Sequence, residues 1–98
     1  MKTITVCGSL KFKDEIIKAA TQTELTGNVA LIPIFPTDDN EAFTKQEIAI
    51  LKKMHKEKIK LSDAILVVNV NGYIGESTKS EIEYAKKQGK EVLYLEQN

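Results

Sequence analysis

The chain has 98 residues, enough for one small domain with a modest core and little surplus stability. Its 14 basic and 14 acidic residues cancel, so no bulk field draws in a nucleic-acid polymer or an anionic membrane. Every basic residue is lysine, which removes the planar two-pronged arginine contact to phosphate and leaves backbone amides, hydroxyls and lysine point charges.

Residues 4–7 form a short β-prone run that stops at Gly8-Ser9. Phe12, Ile16, Ala19, Ala20 and Thr23 then recur at helical spacing, and Gly27 supplies a C-terminal stop. Residues 28–34 (NVALIPI) read as a second strand, with Pro33 marking an edge or an end. A polar loop over residues 35–40 leads into a long helix over about 42–60, with Phe43, Glu47, Leu51, His55 and Ile59 along one stripe. Residues 64–70 (AILVVNV) are the most continuous apolar run, as expected of a central parallel strand covered on both faces. A helix over about 78–88, stopped by Gly89, and a last strand over residues 91–95 complete the pattern.

Strands alternating with helices predict a single α/β domain over residues 1–98. The expected form is Rossmann-like (flavodoxin-like), with a parallel sheet of about four or five strands and helices on both faces. Right-handed crossovers bring the strand C-termini to one edge, and ligands bind there near the switch in strand order. That places the expected site on residues 8–11, 35–38 and 72–81. The single cysteine, Cys7, has no partner for an internal disulfide, and no Cys/His cluster shows zinc spacing. No metal and no cofactor is implied. No apolar stretch approaches the roughly 20 residues needed to span a bilayer, and the N-terminal MKTITVCGS reads as a strand rather than a signal peptide. A cytoplasmic protein without a membrane partner is expected.

Three stretches can carry chemistry. At Cys7-Gly8-Ser9-Leu10-Lys11 a strand runs through a Gly-Ser turn into a helix, which serves either as a capped turn or as an anion cradle. Cys7, at the strand end, reads as a small buried hydrophobe rather than a nucleophile. His55, spaced four from both Leu51 and Ile59, lies on or beside an apolar stripe, and its lysine neighbours read as a solvated face. In NGYIGESTKSEIEYA, Thr78 and Glu81 fit the spacing of a capping box, with Glu81 reaching back to the helix start. A cap does not account for Gly72 and Gly75 flanking Tyr73, where glycine permits close approach of a ligand and Tyr73 can stack on a flat ring. A carboxylate in a first helical turn is also kept ionised by the helix dipole, which suits a nucleophile. Glu81 is thus either a cap or a reactive group.

The order of these stretches, with GYIG-ST-xx-EI-xYA as the specific part, resembles the nucleoside 2-deoxyribosyltransferase-like superfamily over nearly the whole chain. That group includes 2'-deoxynucleoside 5'-phosphate N-hydrolases. The resemblance implies a Glu nucleophile attacking the anomeric carbon, which falls on Glu81, with Ile82 and Ala85 matching downstream. It implies phosphate contact at Gly8-Ser9 and sugar-phosphate contact at Ser77 and Thr78. This chain departs in having His55 where many relatives have an acidic residue, Gly75 where transferases hold the base with Asp, and Lys11 where hydrolases commonly carry arginine.

The expected activity is cleavage or transfer of the N-glycosidic bond of a (deoxy)nucleoside or nucleoside 5'-monophosphate. Glu81 is the expected nucleophile, and His55 is expected to protonate the leaving base or contact phosphate. Gly8, Ser9, Lys11, Gly72, Tyr73, Gly75, Ser77 and Thr78 are the expected substrate-binding residues. The partners are a small-molecule nucleoside or nucleotide and a second copy of the chain, because a small domain with a wide apolar helix stripe favours a homodimer. A non-catalytic nucleotide-binding or sensor module with the same pocket is the alternative.

Overall fold

A computed structural model describes residues 1–37 and 42–97. Strand β1 (Thr3–Cys7) leads through a 3-10 turn (Leu10–Phe12) into helix α1 (Lys13–Leu25), and strand β2 (Val29–Leu31) follows. Helix α2 (Lys45–Leu61), strand β3 (Ala64–Val67), a second 3-10 turn (Val70–Gly72), helix α3 (Glu76–Lys87) and strand β4 (Glu91–Tyr94) complete the order. The four strands are parallel, in the order β2-β1-β3-β4. The chain builds outward from β1 to β2, then crosses back to add β3 on the other side. That reversal opens a crevice at the C-terminal ends of β1 and β3.

Two apolar clusters sandwich the sheet. Val6 and Val68 pack with Ile16 and Ala19 of α1 on one face. Cys7, Ile65 and Val67 pack with Ile59 of α2 and with Ile82 and Ala85 of α3 on the other. The period-2 alternation of β1 decides which residue meets which layer, so Val6 faces α1 while Cys7 faces α2 and α3. Thr5 Oγ1 hydrogen-bonds to Ser62 Oγ, which also donates to the Lys58 carbonyl, so these buried hydroxyls are satisfied. No helix among the described residues is long and apolar enough to cross a membrane.

Several boundaries differ from the sequence expectation. β2 ends at Leu31, ahead of Pro33, which has no N–H to give a ladder, and the strand lies on an edge of the sheet. β3 ends at Val67 because the chain turns at Asn71 and Gly72, with φ of 54° and 78°. Gly72 is therefore a backbone requirement of the turn. The Asn69 amide donates to the Glu96 carbonyl and accepts the Glu96 N–H, while the Asn71 N–H donates to the Glu96 carboxylate. This network ties the loop after β3 to the segment after β4. The expected loop residues 38–40 lie outside the described residues.

The largest correction concerns helix starts. α3 begins at Glu76 with Gly75 as N-cap and no side-chain cap, two residues earlier than expected. Glu81 then lies beyond the first turn and cannot close a capping box with Thr78. The reciprocal box forms instead at α2, where Thr44 Oγ1 accepts the Glu47 N–H at 3.1 Å and the Glu47 carboxylate accepts the Thr44 N–H at 2.9 Å. Glu47 is a cap rather than a member of the apolar stripe. Thr44→Ala is expected to remove about 1 kcal/mol and to lower the melting temperature by roughly 4–8 °C. Thr44→Ser should melt close to the parent, with both changes read by circular dichroism.

Candidate active site

The reversal in strand order produces a cavity of about 350 Å³ lined by α2 and α3 and by the segments that follow β1, β2 and β3. A volume of this size suits one small ligand. One wall is polar, made by Gly8, Ser9, Ser77, Thr78 and Glu81, and the facing wall is apolar, with Ile34, Phe43, Leu51 and Met54. Of the residues expected to bind substrate, Gly8, Ser9, Tyr73, Gly75, Ser77 and Thr78 reach this cavity. Lys11 and Gly72 are not among its lining residues. Lys11 Nζ sits 3.5 Å from the centroid of the Tyr73 ring, a cation–π contact that holds the tyrosine at the rim.

The two glycine positions have different causes. A Cβ on Gly8 would come within 3.2 Å of the Val68 side chain and carbonyl, so β1 leaves the sheet too close to β3 for a side chain. A Cβ on Gly75 would meet only the Tyr73 ring, at 3.5 Å, which is ordinary contact. Ser9 Oγ accepts the Lys11 N–H at 3.4 Å, so the Gly-Ser turn is capped as well as facing the cavity.

At the floor of the polar wall three side chains from three elements meet. His55 Nε2 of α2 lies 3.4 Å from Cys7 Sγ of β1 and 3.5 Å from Glu81 Oε1 of α3. His55 is 6% exposed as a residue and the Glu81 side chain 13%. Burial pushes the Glu81 carboxyl up to about 7, opposed by the Cys7 and Ser77 side chains and by the charges of Lys56 and Lys52. This reverses the expectation from a first-turn dipole, because Glu81 is in the second turn and the desolvation of a buried carboxylate prevails. Burial, with the nearby Lys58 charge, lowers His55 to about 4. The imidazole is therefore neutral near pH 7, and its contact with Glu81 is not an ion pair. Burial also raises the Cys7 thiol well above its usual value, with the Glu81 carboxylate adding to the shift.

His55 lines the cavity. Its Nδ1 is buried without a hydrogen-bond partner among the described residues. The sequence reading took Cys7 as a core residue; it is fully buried, yet it also touches His55 at the site. Its place at the end of β1, immediately before the Gly-Ser turn, was the available signal. A second depression that Glu81 also borders is lined by Lys52, Lys53 and Lys56 of α2 and by Glu76, Ser77 and Ser80 of α3. The sequence assigns Lys53 and Lys56 to a solvated face and gives no signal for Lys52, which borders both hollows.

No protein-family model and no curated protein matches the chain. Solved structures do. A 2-desoxiribosyltransferase from Leishmania mexicana superposes with a TM-score of 0.69 at 22% identity, covering 96% of this chain and 63% of its own. A conserved protein from Enterococcus faecalis V583 superposes with a TM-score of 0.63 at 19% identity, covering 96% of this chain and 62% of its own. The chain thus has a nucleoside deoxyribosyltransferase-like fold and spans less than two thirds of the length of these two neighbours.

Because Glu81 is not a cap, its replacement leaves the start of α3 untouched. Glu81→Gln retains the shape and removes a charge that burial disfavours, so this variant should melt at or above the parent in thermal denaturation at neutral pH.

Proposed function

We propose that this protein acts on the N-glycosidic bond of a (deoxy)nucleoside or nucleoside 5'-monophosphate, with Glu81 as nucleophile. The observation that carries the reading is the position of Glu81 on the wall shared by an apolar cavity and a lysine-lined hollow. A flat base fits against Ile34, Phe43, Leu51 and Tyr73. The sugar then lies over Glu81, with Ser9, Ser77 and Thr78 offering hydroxyls and backbone amides. Lys52 and Lys56 supply the positive charge for a phosphate.

A carboxylate oxygen of Glu81 bonds to C1', and the C1'–N bond breaks with its electron pair leaving on the base. The base takes a proton from water in the open cavity. Water, or a second base, then attacks C1' of the glycosyl ester and restores the carboxylate. His55, neutral and turned toward Glu81, acts as a positioning residue for the nucleophile rather than as the acid for the base.

The apolar rim favours a second copy of the chain over solvent. Ile34, Ile48, Met54 and Tyr73 border the cavity and are all exposed in the single chain. A homodimer that covers this rim also narrows the cavity. A reduced, buried Cys7 fits a cytoplasmic setting.

A panel of nucleosides and nucleoside 5'-monophosphates, assayed for base release with thermal-shift readings beside it, tests the activity. The parent should release base, and Glu81→Gln should still bind while losing nearly all turnover. Stabilisation by nucleotides without base release would instead favour a binding or sensor module, a reading supported by Gly75 at the place of a base-holding aspartate. Gly75→Asp should fold as the parent does, since a Cβ there comes no closer than 3.5 Å to its neighbours and Asp is favoured at this N-cap, and should raise base release by the active protein. Light scattering at tens of micromolar, roughly where a standard interface holds, should show a dimer that Met54→Lys dissociates.

A further inference from the structure

We infer that Cys7, His55 and Glu81 form a binding site for a divalent cation of borderline softness, zinc above all. Each comes from a different element, and their sulfur, nitrogen and oxygen donor atoms lie within 4.8 Å of one another. In tetrahedral zinc sites the Zn–S bond is about 2.3 Å and the Zn–N and Zn–O bonds are about 2.0–2.2 Å. Donors bound to one ion at the tetrahedral angle therefore stand about 3.3–3.6 Å apart. The Sγ–Nε2 separation of 3.4 Å and the Nε2–Oε1 separation of 3.5 Å both match.

Hydrogen bonding suits the Cys7–His55 edge, where 3.4 Å is an ordinary distance to sulfur, but not the His55–Glu81 edge. An N–H···O bond spans about 2.7–3.2 Å, so the His55–Glu81 contact is long for a hydrogen bond and right for two ligands of one ion. The donor types also select the cation. A thiolate with an imidazole favours zinc or cobalt, whereas magnesium and calcium require oxygen ligands. Three protein ligands leave the fourth position free, and it opens on the cavity that His55 and Glu81 line.

The surroundings indicate an exchangeable ion. A cation on Nε2 places the ring proton on Nδ1, which has no acceptor among the described residues. Permanent zinc sites supply an acceptor at that nitrogen, and its lack lowers affinity. The sequence concealed the site because Cys7 and His55 are 48 residues apart and no local spacing links them. If Glu81 is the nucleophile proposed above, a bound ion withdraws its carboxylate from the sugar, and zinc then acts as a reversible inhibitor. Only that last consequence rests on the glycosidic reading.

Chelator-stripped, untagged protein titrated with Co²⁺ tests the site without any substrate. The expected result is one Co²⁺ per chain, with a thiolate-to-cobalt charge-transfer band and the intense visible bands of a four-coordinate ion, both bleached by Zn²⁺. Cys7→Ser should remove the charge-transfer band. Glu81→Gln should weaken binding roughly tenfold or more while leaving the fold intact, so the test survives if Cys7→Ser does not fold. A cobalt spectrum that stays that of the hydrated ion would overturn the site. So would a band that persists with unchanged affinity in the Glu81→Gln protein.

Discussion

The pairing of β1 with β3 at the centre of the sheet is the constraint on which the site depends. It sets Cys7 opposite Val67 in register, so the Gly-Ser turn after one strand and the tight turn after the other leave the sheet side by side. Gly8 has room for no side chain because Val68 is already there. The helices inherit their positions from this contact. α2 returns across the face that Cys7 occupies, and α3 must start where β3 stops. His55, nearly three turns into α2 at about 3.6 residues per turn, and Glu81, in the second turn of α3, both arrive beside the Cys7 sulfur. A one-residue slip in β1 would send Cys7 to the α1 layer and break up the cluster.

The electrostatics follow from packing rather than from charge count. The chain is neutral overall, yet Lys52, Lys53 and Lys56 stand together along the second hollow. Opposite them, burial raises the proton affinity of Glu81 and lowers that of His55, so the two groups approach neutrality together. A neutral imidazole against a carboxyl of raised pKa is a less costly arrangement in a partly dry wall than a desolvated ion pair. The same burial keeps the Cys7 thiol protonated and quiet in the metal-free protein.

Much of the fold was legible because periodicity reports burial. Residues 64–70 announced the central strand, and the glycine-bounded turns pointed to the edge where the cavity lies. The tetrapeptide spacing of Thr78 and Glu81 misled because an identical spacing at Thr44 and Glu47 is the box that forms. Glu76, Ser77 and Thr78 are all acceptable in a first turn, so the sequence alone left the start of α3 free to slide by two residues. Glycine was ambiguous for the same reason, since Gly72 answers to its backbone angle and Gly8 to a neighbouring strand. Contacts between residues far apart in sequence, such as Cys7 with His55, arise from the crossover and have no local signature.

The bonds between Asn69, Asn71 and Glu96 give the last strand a mechanical role. They fasten the loop that carries Tyr73 and Gly75 to the stretch of chain that follows β4. That stretch is thus a handle on the rim of the cavity. A change that moves Glu96, one residue past the Leu95–Val67 hydrogen bond, therefore also moves the loop at the rim of the cavity.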